Sequence, residues 1–263
     1  MSEPIPPRPD LPPGPEGPAR LGQWRPDAGI PRATWKWYEA ILVGLIGFVG
    51  GGVIGAILAA PFQSHQIQNA LLGLGTDIGL AGAVALWLYT SHRAAIPALR
   101  LDVHRPKELL YGVGGGLAIY AIAVLGIGPL IVEALRAASG RSSVRTPRQI
   151  PAHLHGVGLA LTALFTLVTA PVAEELFFRG FLFRSLRDRH GFLFSGIISA
   201  LAFGAVHYRP SPWQNSILLI VVICFVGFGL AYVYERRGNL LANMAAHATF
   251  NAIGFALILS KLA

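Results

Sequence analysis

The sequence predicts an all-α fold: a polytopic bundle of about seven to eight transmembrane helices behind a disordered, proline-rich N-terminal tail. Three observations carry this expectation. The 263-residue chain is 53% hydrophobic and 13% charged, whereas soluble domains carry about 25% charged residues. Several apolar runs approach the roughly 20 residues that a helix needs to cross a bilayer. The runs are continuous rather than alternating, which fits helices and not barrel strands. The expected location is the cell membrane, crossed several times, with the lipid bilayer as a constant partner.

The formal net charge is +8. The arginines lie between apolar runs, so they read as topology signals and contacts with anionic lipid. No basic face or stacking platform accompanies them, which argues against nucleic acid as a partner. The single cysteine, Cys224, stands inside an apolar run and reads as a small buried hydrophobe.

The chain divides into a tail (1–36), N-terminal transmembrane helices (37–150) and a C-terminal helical core (151–263). The density of proline and glycine in the tail denies it helix and sheet. It has no apolar h-region, so no cleavable signal peptide is expected. Trp35, Trp37 and Tyr38 are expected to form an interfacial belt before the first span, 39–60. Within that span Gly47, Gly51 and Gly55 recur every fourth residue, a face on which another helix can approach closely. The second span, 70–89, holds Asp77 beside Gly75, Thr76 and Gly79, a polar notch with an intramembrane acid that is a functional candidate by default.

The third span, 109–135, carries a second small-residue pair, Gly112 and Gly116. The polar connector "RAASGRSSVRTPRQIPAHLH" follows. A fourth apolar region runs from about 156 into "PVAEELFFRGFLFRSL" and ends at the turn Arg189-His190-Gly191. The fifth span is 192–207, the sixth 213–234 and the seventh 240–262. Basic residues in alternate connectors fall on one side, expected to be the cytoplasm. The connector 136–148 is basic on the opposite side and breaks that pattern.

The polar residues of the C-terminal half form a set. Glu175 and Arg179 are four apart, in the favourable acid-before-base order, so the acid can be neutralised in an apolar place. Glu174 points about 100° away from Glu175 on a helix and has no such local partner. Glu174 is 17 residues before Gly191 and His207 is 16 after it, so a hairpin there places both at one level, roughly 25 Å from the turn. His247 and Asn251, four apart on one helix face, lie roughly 14 to 20 Å past Gly238, the next turn on that side. One glutamate, two histidines and one asparagine can therefore meet between helices. Each alone is an ordinary polar residue joining helices; four at matching depth beside an acid pair point to a site.

Three motifs now stand in order: E-E-x-x-x-R at Glu174, Glu175 and Arg179; F-x-x-x-H at Phe203 and His207; H-x-x-x-N at His247 and Asn251. Over residues 171–255 the chain resembles the CPBP family of CAAX proteases and bacteriocin-processing enzymes, also called Abi proteins, whose best-known type is the Ras-converting CAAX endopeptidase. The resemblance implies an intramembrane endopeptidase acting on a membrane-associated peptide or protein, with CAAX-like prenylated chains as one substrate class. Carried over by motif, Glu174 and His207 activate the attacking water, His247 and Asn251 stabilise the oxyanion, and Glu175 and Arg179 support the site.

Family members are often labelled metalloproteases, and Zn²⁺ accepts His, His and Glu. Such a site would use Glu174, His207 and His247. No H-E-x-x-H occurs, however, and with Glu174 as ligand the base would have to be Glu175, which faces Arg179. The favoured reading is therefore water activated by glutamate, with no cofactor. Two rivals from other classes are a proton-coupled transporter, which also uses intramembrane Glu, His and Asn, and a non-catalytic scaffold or immunity protein of the same fold. The absence of an internal repeat weighs against the first, the intact quartet against the second.

Overall fold

The structure is a computed structural model that describes residues 32–147 and 154–260. The proline-rich stretch 1–31 and positions 148–153 of the connector lie outside the described residues. All regular structure among the described residues is helical. We number the helices α1 (Trp37–Ala59), α2 (His65–Ser91), α3 (Lys107–Ser139), α4 (156–190), α5 (192–206), α6 (Trp213–Arg237) and α7 (Leu240–Leu259). A 3₁₀ turn, Arg93–Leu99, follows α2.

Among the described residues six helical stretches are long and apolar enough to cross a membrane, and the chain is a multi-pass membrane protein. The fourth stretch is 51 residues long, more than twice what one crossing needs. Gly191 divides it, with φ 79 and ψ 172, a conformation that residues with a side chain seldom adopt. The two arms fold back on each other as the sequence predicts. Ser199 donates to the Phe178 carbonyl at 3.0 Å, Phe178 packs edge-on against Phe203, and Phe183 meets Phe192. Phe178 and Phe203 lie 13 and 12 residues from Gly191, as a hairpin there requires.

The glycine stripes do what their spacing predicts. Gly47, Gly51 and Gly55 are buried on α1 and lie against α2 at Leu80, Thr76 and Leu71–Leu72. A Cβ on Gly75 would stand 2.5 Å from the Gly55 Cα. Gly112 and Gly116 bring α3 equally close to α7 at Ala242 and Ala246. These contacts gain dispersion energy where the hydrophobic effect offers nothing, since lipid is as apolar as the partner helix. Cys224 is a half-buried free thiol packed against Gly204.

Two expectations are corrected here. Residues 32–36 are not solvated tail: Ala33 is buried, and the backbone N–H of Ala33 donates to Asp188. Trp35 is not part of an interfacial belt. It is fully buried, stacks on Phe181 with ring centroids 5.2 Å apart, and donates its indole N–H to the Phe181 carbonyl at 2.8 Å. A buried indole needs a partner for its N–H, and α4 provides both the ring and the acceptor. The belt consists of Trp37 and Tyr38, each about half exposed.

Helix α4 runs through the core. Residues 177–187 are buried without interruption although they include Arg179, Arg184 and Arg187. At the end near Gly191 and Gly238, ion pairs and loop contacts join the helices. Arg187 forks onto Glu235 and Arg237 onto Glu108. The Tyr234 hydroxyl donates to the Leu99 carbonyl, and Asn239 exchanges hydrogen bonds with the Asp102 backbone. The connector after α3 lies over the start of α6. There Val144 packs with Leu218 and Val222, and the Arg145 N–H donates to Asn215.

A substitution tests the α1–α2 contact. Gly51→Val would drive a side chain into Thr76 and Gly79, whose Cα atoms a Cβ would meet at 2.9 and 3.0 Å. Overpacking of this kind costs about 1–3 kcal/mol, read as a lowered melting temperature in detergent. Gly50 has open space around its Cβ position, so Gly50→Ala is expected to leave the melting temperature unchanged or slightly raised.

Candidate active site

The site begins with a backbone irregularity. In α4 the Phe165–Thr169 stretch is a π turn, and the N–H of Ala170 bonds five residues back, to the Phe165 carbonyl. The next bond in that pattern would join residue 171 to the Thr166 carbonyl. Residue 171 is proline and has no N–H. The Asn251 side chain fills the gap: its Nδ2 donates to the Thr166 carbonyl at 2.8 Å. Asn251 is thus positioned from α7 by a carbonyl that the proline leaves without its helical donor. Its amide carries a second N–H.

One turn on come the two glutamates, and their environments differ. Glu175 is completely buried. One carboxylate oxygen accepts from Arg179 at 2.7 Å and from His247 Nδ1 at 2.9 Å, and the other from Asn243 Nδ2 at 2.7 Å. Arg179, also fully buried, donates further to the Gly227 carbonyl and lies over the Phe203 ring at 4.5 Å. The ion pair read from the i,i+4 spacing is therefore present, within a larger network. Glu174 is different. Its Oε2 is buried with no hydrogen-bond partner among the described residues, 3.8 Å from His247 Nε2.

The histidines are fixed by what their Nδ1 atoms touch. His207 closes α5, and its Nδ1 lies 2.7 Å from the Phe203 carbonyl. A carbonyl only accepts, so Nδ1 carries the proton and the Nε2 of the neutral ring has a lone pair. In His247 Nδ1 faces the Glu175 carboxylate, so Nδ1 again carries the proton and Nε2 is turned toward Glu174. Phe203 contacts both rings, at 4.7 Å from His207 and 5.7 Å from His247.

The predicted quartet is therefore gathered on α4, α5 and α7. Glu174 lies 3.8 Å from His247, short of a hydrogen bond; His207 joins through Phe203; Asn251 is tied to Thr166. No hydrogen bond links Glu174 to His207. Sequence reasoning missed Asn243, which donates to both Glu175 and the Leu230 carbonyl. Its signal was available: Asn243, His247 and Asn251 recur every fourth residue, one polar stripe on α7. Asp77, the acid in the notch of α2, accepts from Thr169 at 2.7 Å and borders the site.

The donor set for zinc can be tested on this geometry. A zinc ion draws three protein ligands to about 2.0–2.2 Å. Among the described residues no three His, Cys, Asp or Glu side chains converge on one point. As arranged, Glu174, His207 and His247 do not form a zinc site.

Comparison with known proteins agrees with the motif resemblance. Residues 156–253 match the family described as type II CAAX prenyl endopeptidase Rce1-like. YdiL of Bacillus subtilis (strain 168), whose name assigns it provisionally to the membrane peptidases, is 24% identical over 194 residues, 68% of this chain and 74% of the relative. The UPF0177 protein YxdF of Lactococcus lactis subsp. lactis (strain IL1403) is 22% identical over 136 residues, 51% of this chain and 66% of the relative. No solved structure matches the chain.

The Glu175 network predicts a stability pattern. Arg179→Ala leaves a carboxylate buried without its cation and costs about 3–5 kcal/mol, seen as a large drop in melting temperature in detergent. Adding Glu175→Gln removes the orphaned charge and should recover part of the loss. A double variant less stable than either single one would show that the pair does not stabilise the bundle.

Proposed function

We propose that the chain is an intramembrane endopeptidase that hydrolyses a peptide bond of a membrane-associated substrate with water activated by Glu174 and His207. At family level the matches support a CAAX-type membrane peptidase. The observation that carries the finer reading is the division between the adjacent acids. Glu175 accepts from Arg179, His247 and Asn243, while Glu174 keeps a buried, unpartnered oxygen beside a histidine. A structural acid needs the first environment. A general base needs the second.

The reaction follows from the donors and acceptors. Water donates one hydrogen bond to Glu174 and the other to the lone pair on His207 Nε2. As the water oxygen attacks the scissile carbonyl carbon, Glu174 takes a proton and the C–O bond forms. The carbonyl oxygen becomes an oxyanion. His247 Nε2, when protonated, and the second N–H of Asn251 donate to it, and such fixed donors count most where water is excluded. Collapse of the intermediate breaks the C–N bond, and Glu174 returns its proton to the leaving nitrogen. Glu175 keeps the His247 ring in orientation throughout, and no step uses a metal.

The test is cleavage of a quenched fluorogenic peptide ending in a farnesylated cysteine and three further residues, with purified protein in liposomes and the unprenylated peptide alongside. Glu174→Gln, His207→Ala, His247→Ala and Asn251→Ala should each lower kcat about a hundredfold or more while the melting temperature stays close to that of the parent. Turnover by Glu174→Gln at the parent rate would end the assignment of the base.

Elemental analysis of the same active preparation is expected to find no stoichiometric zinc. One zinc per chain, lost in His207→Ala and His247→Ala, would make the quartet a ligand set instead.

A further inference from the structure

We infer that Asp77 is a positioning residue for the proposed peptidase site: through Thr169 it holds the π turn of α4 in place, and with it Glu174 and the Thr166 carbonyl. This rests on the reading of Glu174 and Asn251 given above. It adds to the site a helix that lies outside the matched residues 156–253.

The two faces of α2 are used differently. Gly75 and Gly79 meet α1. Asp77 lies two residues from each, about 200° around the helix, and so faces the other way. On that face Gly73 and Asp77 stand one turn apart, and Asp77 is buried. Gly73 sits under the Phe165 ring, which a Cβ there would meet at 2.7 Å. Asp77 accepts from Thr169 at 2.7 Å. Positions 73 and 77 thus face 165 and 169 with the same step of four. Helices α2 and α4 run parallel here, with these residues in register.

Those partners are the two ends of the π turn, Phe165–Thr169. Such turns are rare in helices and concentrate at functional sites, and this one is held from outside at three points. The Phe165 ring rests on Gly73, the Thr166 carbonyl is taken by Asn251, and the Thr169 hydroxyl donates to Asp77. The hydroxyl has another acceptor in its own helix, the Phe165 carbonyl, but at 3.4 Å. With one proton to give, it favours the shorter bond to Asp77, which ties the turn to α2. Glu174 follows Thr169 by five residues on the same helix, so the tie lies little more than one turn from the reacting group. Nothing in the quartet explains a buried acid on α2; the Thr169 bond gives it a role.

The test uses the full chain in liposomes and two readouts. Asp77→Ala and Thr169→Val should each lower kcat on the farnesylated peptide about 10- to 100-fold, as small misplacements of reacting groups do, with KM little changed. The double variant should lose no more than the worse single one, because both act through one bond. Thr169→Ser keeps the hydroxyl and should restore kcat. Independently of activity, hydrogen exchange should speed up in peptides covering 165–175 in both single variants and stay unchanged in α6. Parent-like exchange in Thr169→Val, or losses that add in the double variant, would overturn the inference. If the parent protein cleaves nothing, the peptidase reading fails, and the exchange data alone then decide whether Asp77 holds the turn.

Discussion

The Glu175 carboxylate is the constraint on which the rest of the core depends. An ionised acid with no solvent exposure is among the costliest groups a membrane protein can carry. It is tolerated because two helices supply its partners. Arg179 comes from its own helix, and Asn243 and His247 from α7. Arg179 reaches on to the Gly227 carbonyl of α6. Each partner that satisfies Glu175 is thereby fixed in orientation. Holding His247 by Nδ1 sends Nε2 toward Glu174; holding Arg179 places its guanidinium over Phe203, the ring that touches both histidines. Replacing one member disturbs several, as expected of a buried polar network.

The irregular backbone follows the same logic. In lipid an unsatisfied carbonyl costs several kcal/mol, so departures from the α-helix survive only where the protein covers them. Here several core carbonyls accept from a side chain of another segment. Asn251 takes Thr166, Arg179 takes Gly227, the Trp35 indole takes Phe181 and the Tyr234 hydroxyl takes Leu99. Two of these acceptors, Thr166 and Phe181, belong to the π-turned parts of α4 that flank the glutamates. The helix that carries the candidate chemistry is the least regular in the core and the most tied down from outside.

Much of this was legible in the sequence because it rests on local periodicity. The spans follow from continuous apolar runs, the α1–α2 and α3–α7 contacts from glycine every fourth residue, and the Glu175–Arg179 pair from i,i+4 spacing. The folding back of the two arms of the fourth stretch followed from the turn at Gly191, whose positive φ makes the hairpin. What escaped depends on residues far apart in the chain. Nothing local marks Trp35 as a core residue, since its cover is Phe181, 146 positions away. The π turn escaped because helical spacing hides one extra residue, although Pro171 hinted at a missing donor. Asn243 carries a local signal, one polar stripe with His247 and Asn251, but its partner Glu175 lies 68 positions away.

The placement of Asp77 changes how the chain should be divided. The residues that match the CAAX-type family, 156–253, start only after the N-terminal helices end, which suggests a catalytic half and a supporting half. The contacts join them. Small glycines let α1 press directly on one face of α2. That support sets the opposite face, with Gly73 and Asp77, against the π turn of α4. The turn in turn presents the Thr166 carbonyl to Asn251 and carries Glu174 one helical turn further on. A chain of close contacts thus leads from Gly51 to Glu174 through backbone and short side chains only. Such a path has little slack: long side chains repack, whereas glycine faces and one hydroxyl do not. The helices outside the shared motifs therefore belong to the site's geometry, and their glycines serve the placement of a carboxylate that they never touch.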